Sequence, residues 1–112
     1  MHNALNAENL LLSIGCKATL KGFRYLNESV LLAYENDDAI YNLSNNIFPK
    51  VCEKFEASYE SVERDMRTVI KNTWNEYEEA LQSISLTKLK SQPTVKDFIG
   101  IVVKHLKYKD DN

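Results

Sequence analysis

An all-α fold of about six helices containing a helix-turn-helix is the class this sequence predicts. Three observations carry the prediction. Apolar residues recur at three- and four-residue steps through most of the chain, no stretch keeps the two-residue alternation of a half-buried strand, and residues suited to helix ends separate the periodic stretches. With 112 residues, 44% hydrophobic and 27% charged, the chain can bury one core without disulfides or metal and is too short for two ordinary domains. Residues 1–112 therefore read as a single compact helical domain.

Residues 5–14 open as a short helix with Leu10, Leu11 and Ile14 along one side, and Gly15 stands where a left-handed residue closes a helix. From Leu20, the series Phe23, Leu26, Val30, Leu31 and Tyr34 keeps helical spacing to about Glu35, and Gly22 costs little so near the start. The cluster Asn36, Asp37 and Asp38 ends that helix and caps a third, residues 39–46, which carries Ile40 and Leu43 inward. A break near Asn45 and Asn46 follows, and Pro49 suits the first turn of a fourth helix over residues 49–55. Glu56, Ala57 and Ser58 then form a turn, with the Ser58 hydroxyl placed to cap a fifth helix that runs to about Tyr77. Residues 78–92 read as a helical extension through Leu81 and Ile84 and then a polar loop. Thr94, Val95, Lys96 and Asp97 make a capping arrangement for the last helix, on which Val95, Phe98, Ile99, Val102 and Leu106 repeat at helical intervals.

Several function classes find no support. Cys16 and Cys52 lie far apart without a paired-cysteine motif or a Cys/His cluster, so no zinc site or disulfide framework is signalled and the pair reads as small apolar residues in a reducing compartment. Neither a secretory leader nor a membrane span is visible: residues 10–12 and 101–103 are apolar but far too short, so the expected location is the cytoplasm. His2 and His105 lack partners at catalytic or ligand spacing and read as surface histidines. Three glycines form no phosphate-binding loop, so no enzyme activity and no cofactor are expected. Tyr25, Tyr34, Phe48, Phe55 and Trp74 fall at helix-packing intervals and read as core.

The formal charge of −2 weighs against nucleic acid, since duplex affinity rests largely on phosphate neutralisation. Its distribution matters more. Residues 1–57 hold five Lys/Arg against seven Asp/Glu, residues 58–79 three against six, and residues 80–109 six against one, so a basic third follows two acidic ones. Lys104, Lys107 and Lys109 read as the solvated face of the closing helix.

Residues 48–74 are the most informative stretch. Val51, Phe55, Ala57, Val62 and Met66 approximate the spacing that packs a helix-turn-helix pair. On the fifth helix Val62, Met66, Val69, Ile70, Thr73 and Tyr77 gather on one side, while Glu60, Arg64, Arg67 and Lys71 gather on the other. The planar arginine fork can bond guanine O6 and N7 together, Lys71 suits a phosphate, and Glu63 at the boundary can accept from a cytosine amino group. The same face also fits a plain solvated helix with Glu60 paired to Arg64, or Glu63 to Arg67, at i,i+4. Glu56 occupies the turn position where glycine is common.

Ile14, Gly15, Lys21, Gly22, Tyr25, Leu26, Tyr34, Pro49, Lys54, Phe55, Val62, Glu63, Arg64, Arg67, Ile70 and Trp74 together resemble the C-terminal effector domain of the stage zero sporulation protein A family, response regulators of endospore-forming bacteria. The likeness runs without a gap over about residues 11–74 and resumes at Thr87, Lys88, Leu89 and Lys90, then Pro93, Thr94, Phe98 and Ile99. It implies a six-helix domain that reads a short asymmetric promoter box in double-stranded DNA, binds as tandem dimers and activates or represses transcription. The family signature V-E-R-x-x-R, carried onto this chain, implies Glu63 and Arg64 as base readers and Arg67 as a base or backbone contact. Lys88 and Lys90 become phosphate contacts; Ser58, Glu60, Thr68 and Lys71, which lie on the same helix or at its cap, complete the expected DNA-facing set without being part of that carried-over signature.

Departures from the pattern are specific. Ser61 stands where the family tends to carry a basic residue and Thr68 where it tends to carry histidine, and Asn75, Glu76, Tyr77, Glu78 and Glu79 replace a neutral-to-basic segment before a shortened connection. The length leaves no room for the receiver domain of a full regulator, so the expectation is an excised domain or a free-standing relative. Two readings remain open: a transcription regulator that contacts DNA, as a homodimer and with RNA polymerase or a related regulator as further partners, or a protein-interaction module that kept the scaffold and lost DNA affinity.

Overall fold

The computed structural model describes residues 2–111, without the side chains of residues 2–5, 37 and 111. The surface position expected of His2 therefore lies outside the described residues. The elements are α1 (His2–Ser13), α2 (Lys21–Glu35), a 3-10 helix (Asp37–Asn42), α3 (Leu43–Asn46), α4 (Phe48–Phe55), α5 (Tyr59–Ile84) and α6 (Val95–Asp111). No strand occurs among the described residues, and the all-α class is as the periodicity indicates.

Local signals set most boundaries. α1 ends in a Schellman motif in which the Gly15 amide donates to the Leu12 carbonyl and the Cys16 amide to that of Leu11, both at 3.0 Å, with Gly15 at φ 98°. The third helix is split rather than continuous. Asn36 accepts from the Asp38 amide at 3.2 Å and Asn42 accepts from the Asn45 amide at 3.4 Å, so two caps six residues apart compete for one segment. Residues 37–42 settle into 3-10 geometry, and only one turn of α-helix, α3, follows. Thr94 Oγ1 accepts from the Asp97 amide at 3.1 Å and starts α6 as the spacing indicates.

The core is one continuous cluster, and the radius of gyration, 12.8 Å, lies close to the ~13 Å of a single folded domain of this length. Helix α2 lies across α5, and the α5 backbone comes right up against α2 at Gly22. A Cβ there would stand 2.8 Å from the Met66 amide nitrogen and nearer still to the Asp65 carbonyl, so the absence of a side chain lets the two backbones touch. Two buried hydroxyls are satisfied in the same layer: Ser29 donates to the Tyr25 carbonyl at 2.8 Å, and Thr73 to the Val69 carbonyl at 2.9 Å.

Of the five aromatic residues assigned to the core, Tyr25 and Phe48 are buried, whereas Tyr34, Phe55 and Trp74 are half-buried and pack against its edge. Tyr77 departs from the helical wheel. α5 continues to Ile84, but Tyr77 has φ −137° and ψ 39°, which interrupts the regular helix and leaves its side chain 44% exposed rather than on the buried face. Its ring lies directly over Gly15, whose missing Cβ gives it room.

Candidate nucleic-acid interface

Helix α4 and the first four turns of α5 are joined by a turn whose chemistry is local. The Glu56 amide donates to the Glu53 carbonyl at 3.4 Å and the Ala57 amide to the Cys52 carbonyl at 3.0 Å, which is again a Schellman motif. Glu56 itself adopts φ 51° and ψ 49°, so the left-handed position that usually takes glycine is filled here by a side-chain-bearing residue. Ser58 Oγ accepts from the Ser61 amide at 3.1 Å and caps α5.

Tertiary contacts hold this pair from both ends. Phe55 meets Tyr25 edge-on at 5.3 Å and lies under the Arg24 guanidinium at 5.4 Å, while Lys54 bonds Glu28 at 2.7 Å, so the end of α4 is fastened to α2. At the start of α5, Tyr59 stacks edge-on against Phe48 at 5.6 Å, and its hydroxyl pairs with that of Ser44 at 3.0 Å. Between these fixtures Val62, Met66, Val69, Ile70 and Thr73 are fully buried, which sets the rotation of the helix and thereby the direction of its other face.

That other face carries the charged residues. The side chains of Arg64 and Arg67 are 60% and 57% exposed. Arg64 lies 3.5 Å from the neighbouring Asp65 carboxylate rather than against Glu60, and Arg67 lies 3.7 Å from Glu63 at i,i+4. Both pairs are long and solvated, a class worth about 0–1 kcal/mol, so either guanidinium can leave its partner for a stronger acceptor. Glu60 is exposed in the first turn, where a carboxylate favours the helix dipole. Lys71 is exposed and makes no ion pair among the described residues.

The hydroxyls are less available. Ser58 Oγ is engaged in capping and with Ser61 Oγ at 2.9 Å, and Thr68 Oγ1 donates back to the Arg64 carbonyl at 3.0 Å. Lys88 and Lys90 are exposed on the segment between α5 and α6. The residue between them is clamped: Gln82 Nε2 donates to the Leu89 carbonyl at 2.8 Å, and the Leu89 amide donates to Gln82 Oε1 at 2.9 Å. Nothing in the spacing of the sequence exposes that role for Gln82, because the contact joins a helix to an aperiodic loop.

Beside the arginine face runs a groove of about 550 Å³ in which Glu63 and Arg67 meet Asn42 and Ser44 from one segment and Thr94 and Lys96 from another. The sequence does not connect these three segments. Lys96, next to the capping threonine of α6, is the only one with a readable signal, a cation beside polar groups. The acidic cluster after Trp74 is partly engaged locally: Glu76 bonds Lys17 at 3.3 Å and accepts from Asn72, and Glu78 accepts from Gln82 at 3.2 Å.

The basic closing helix is mixed. Lys104 and Lys109 are exposed, but Lys107 lies over the Tyr34 ring at 5.2 Å. His105 is half-buried rather than at the surface, and desolvation, aided by Lys109, lowers its pKa from 6.5. Cys16 is buried, and burial pushes its thiol from 9.0 up to about 11, against a smaller opposing effect of its Thr73 hydrogen bond.

No helix among the described residues is long and apolar enough to cross a membrane, and no group of three metal-ligating side chains occurs among them. Residues 7–106 match the family described as sporulation initiation factor Spo0A C terminal, a DNA-binding effector domain of sporulation regulators rather than an enzyme family. With nearly the whole length matched, the chain belongs to the Spo0A C-terminal family of transcription-regulating, DNA-binding domains.

Proposed function

We propose that this domain reads a short promoter box in double-stranded DNA, with the segment 58–77 in the major groove. Glu63 and Arg64 contact base edges, Arg67 contacts a base or the backbone, and Lys71, Lys88 and Lys90 contact phosphates, with Ser58, Glu60 and Thr68 at the margins. The observation that carries this reading is the pairing of a fully buried face on α5 with an opposite face whose two arginines remain more than half exposed. A helix fixed in rotation on one side directs its arginine side chains outward on the other, where their guanidinium groups are free to take a new acceptor. Action in the cytoplasm, as a homodimer on DNA and through RNA polymerase or a related regulator, belongs to the same proposal.

The test is selection of bound duplexes from a random pool, followed by fluorescence anisotropy with the preferred duplex and a scrambled one. Arg64→Ala should lose about 1–3 kcal/mol on the preferred duplex and relax its preference, whereas Lys88→Ala should weaken both duplexes alike. Equal loss on both duplexes for Arg64→Ala would remove the base-reading role. A second reading, an interaction module without DNA affinity, is favoured by the locally committed Ser58 and Thr68 hydroxyls and the net charge of −2. Absence of any duplex binding at low salt would select it.

A further inference from the structure

A second, larger groove of about 690 Å³ opens between α6, the 3-10 helix and the segment after α5. Its lining includes Ile40, Tyr41, Leu86, Gly100, Ile101 and Lys104. Two of these are large apolar side chains left in water, Tyr41 at 76% exposure and Leu86 at 80%. The charged residues of the lining are Lys96, Lys104, Lys107 and a single Asp97. Lys96 and Lys104 make no ion pair among the described residues.

Gly100 adds an independent observation. It lies inside α6, where glycine costs about 1 kcal/mol relative to alanine. Gly15 is explained by its positive φ and Gly22 by the touching backbone of α5, but a Cβ on Gly100 would meet nothing within 4 Å. Nothing in the chain itself requires that bare stretch of helix, and it lies in the groove lining, where a close approach from outside would use it.

We infer that this groove docks a short segment of a partner protein carrying large apolar side chains flanked by carboxylates. The apolar lining and the gap at Gly100 take the side chains, and Lys96 and Lys104 take the acids. A nucleic acid fits the lysines but not the apolar lining. The groove shares Tyr41 and Lys96 with the one beside Glu63 and Arg67, so such a partner would sit next to the DNA-facing surface.

The test uses the full chain. Displayed random peptides of about 12 residues are selected on it and counter-selected on Gly100→Phe, and the enriched peptides are labelled and titrated by anisotropy. Enrichment of apolar residues flanked by Asp and Glu is expected, with binding about tenfold or more weaker for Gly100→Phe and weaker for Lys104→Glu, most at low salt. Circular dichroism checks that both variants fold; should Gly100→Phe fail to fold, counter-selection on the exposed Lys104→Glu decides. Failure to enrich groove-dependent peptides, or enrichment of basic ones, overturns the inference. So does self-association abolished by Gly100→Phe, which would make the occupant a second copy, or a duplex that shifts the Gly100 and Ile101 amide resonances, which would make it DNA.

Discussion

Replacing Gly22 with alanine tests the crossing on which the orientation of α5 depends. An ordinary Cβ contact is about 3.4 Å or more, and here the Met66 nitrogen would be at 2.8 Å with the Asp65 carbonyl nearer. The obstacle is helix backbone, which cannot rotate away as a side chain would, so α2 and α5 must part by on the order of 1 Å. A gap of that size forfeits about a quarter to a half of each dispersion contact along Phe23, Leu26 and Val30 on one side and Val62, Met66 and Val69 on the other. Overpacking of this kind costs about 1–3 kcal/mol, and the gain from alanine's helix preference is under about 1 kcal/mol in a first turn. A net loss of about 1–2 kcal/mol should lower Tm by roughly 4–9 °C, read by circular dichroism. Gly100→Ala is the control: with open space around it, the same change should raise stability by about 0.5–1 kcal/mol. If Gly22→Ala melts with the parent, or both variants fall together, the backbone-contact argument is wrong.

Other outcomes follow from single features. Glu56→Gly should raise stability by about 1 kcal/mol in urea titration by relieving a left-handed conformation, and no gain would mean the Glu56 side chain holds something the turn needs. Gln82→Ala should leave the melting of α5 nearly intact yet weaken duplex binding irrespective of sequence, because Lys88 and Lys90 lose the clamp on Leu89; unchanged anisotropy would separate that loop from DNA. Below pH 9 the Cys16 thiol is protonated in both states, whereas between pH 9 and about 11 it ionises only in the unfolded chain. Stability should therefore fall by about 2–3 kcal/mol across that window. Cys16→Ala should flatten this part of the pH profile, and a profile unchanged by that substitution would mean other groups set the alkaline loss.

What could be read from the sequence was local. Gly15, Ser58 and Thr94 act within a few residues of themselves, so the end of α1 and the starts of α5 and α6 were legible, and so was the buried stripe from Val62 to Thr73. The failures were long-range or arose from competing local signals. A helical wheel puts Tyr77 inward because it extrapolates a regular helix, whereas the interruption sits where its ring meets Gly15, far away in the chain. Residues 39–46 read as one helix because two asparagine caps in one segment cannot be ranked by pattern. Gly22 costs little near a helix start by propensity alone, yet its reason is a crossing with α5. On the arginine face, i,i+4 spacing foresaw Glu63 with Arg67 but not Arg64 turning to Asp65.

The interruption at Tyr77 also bears on dimensions. Twenty-six residues of unbroken α-helix, the count in α5, would make a rod of about 39 Å, longer than the 33 Å principal extent of the whole molecule. A straight α5 would overshoot the body and carry Leu81 and Ile84, now buried, past the layer that covers them. The elbow at Tyr77 redirects the final turns, whose Leu81 and Ile84 stay in the interior, so a helix of this contour is accommodated in a domain shorter than its own length.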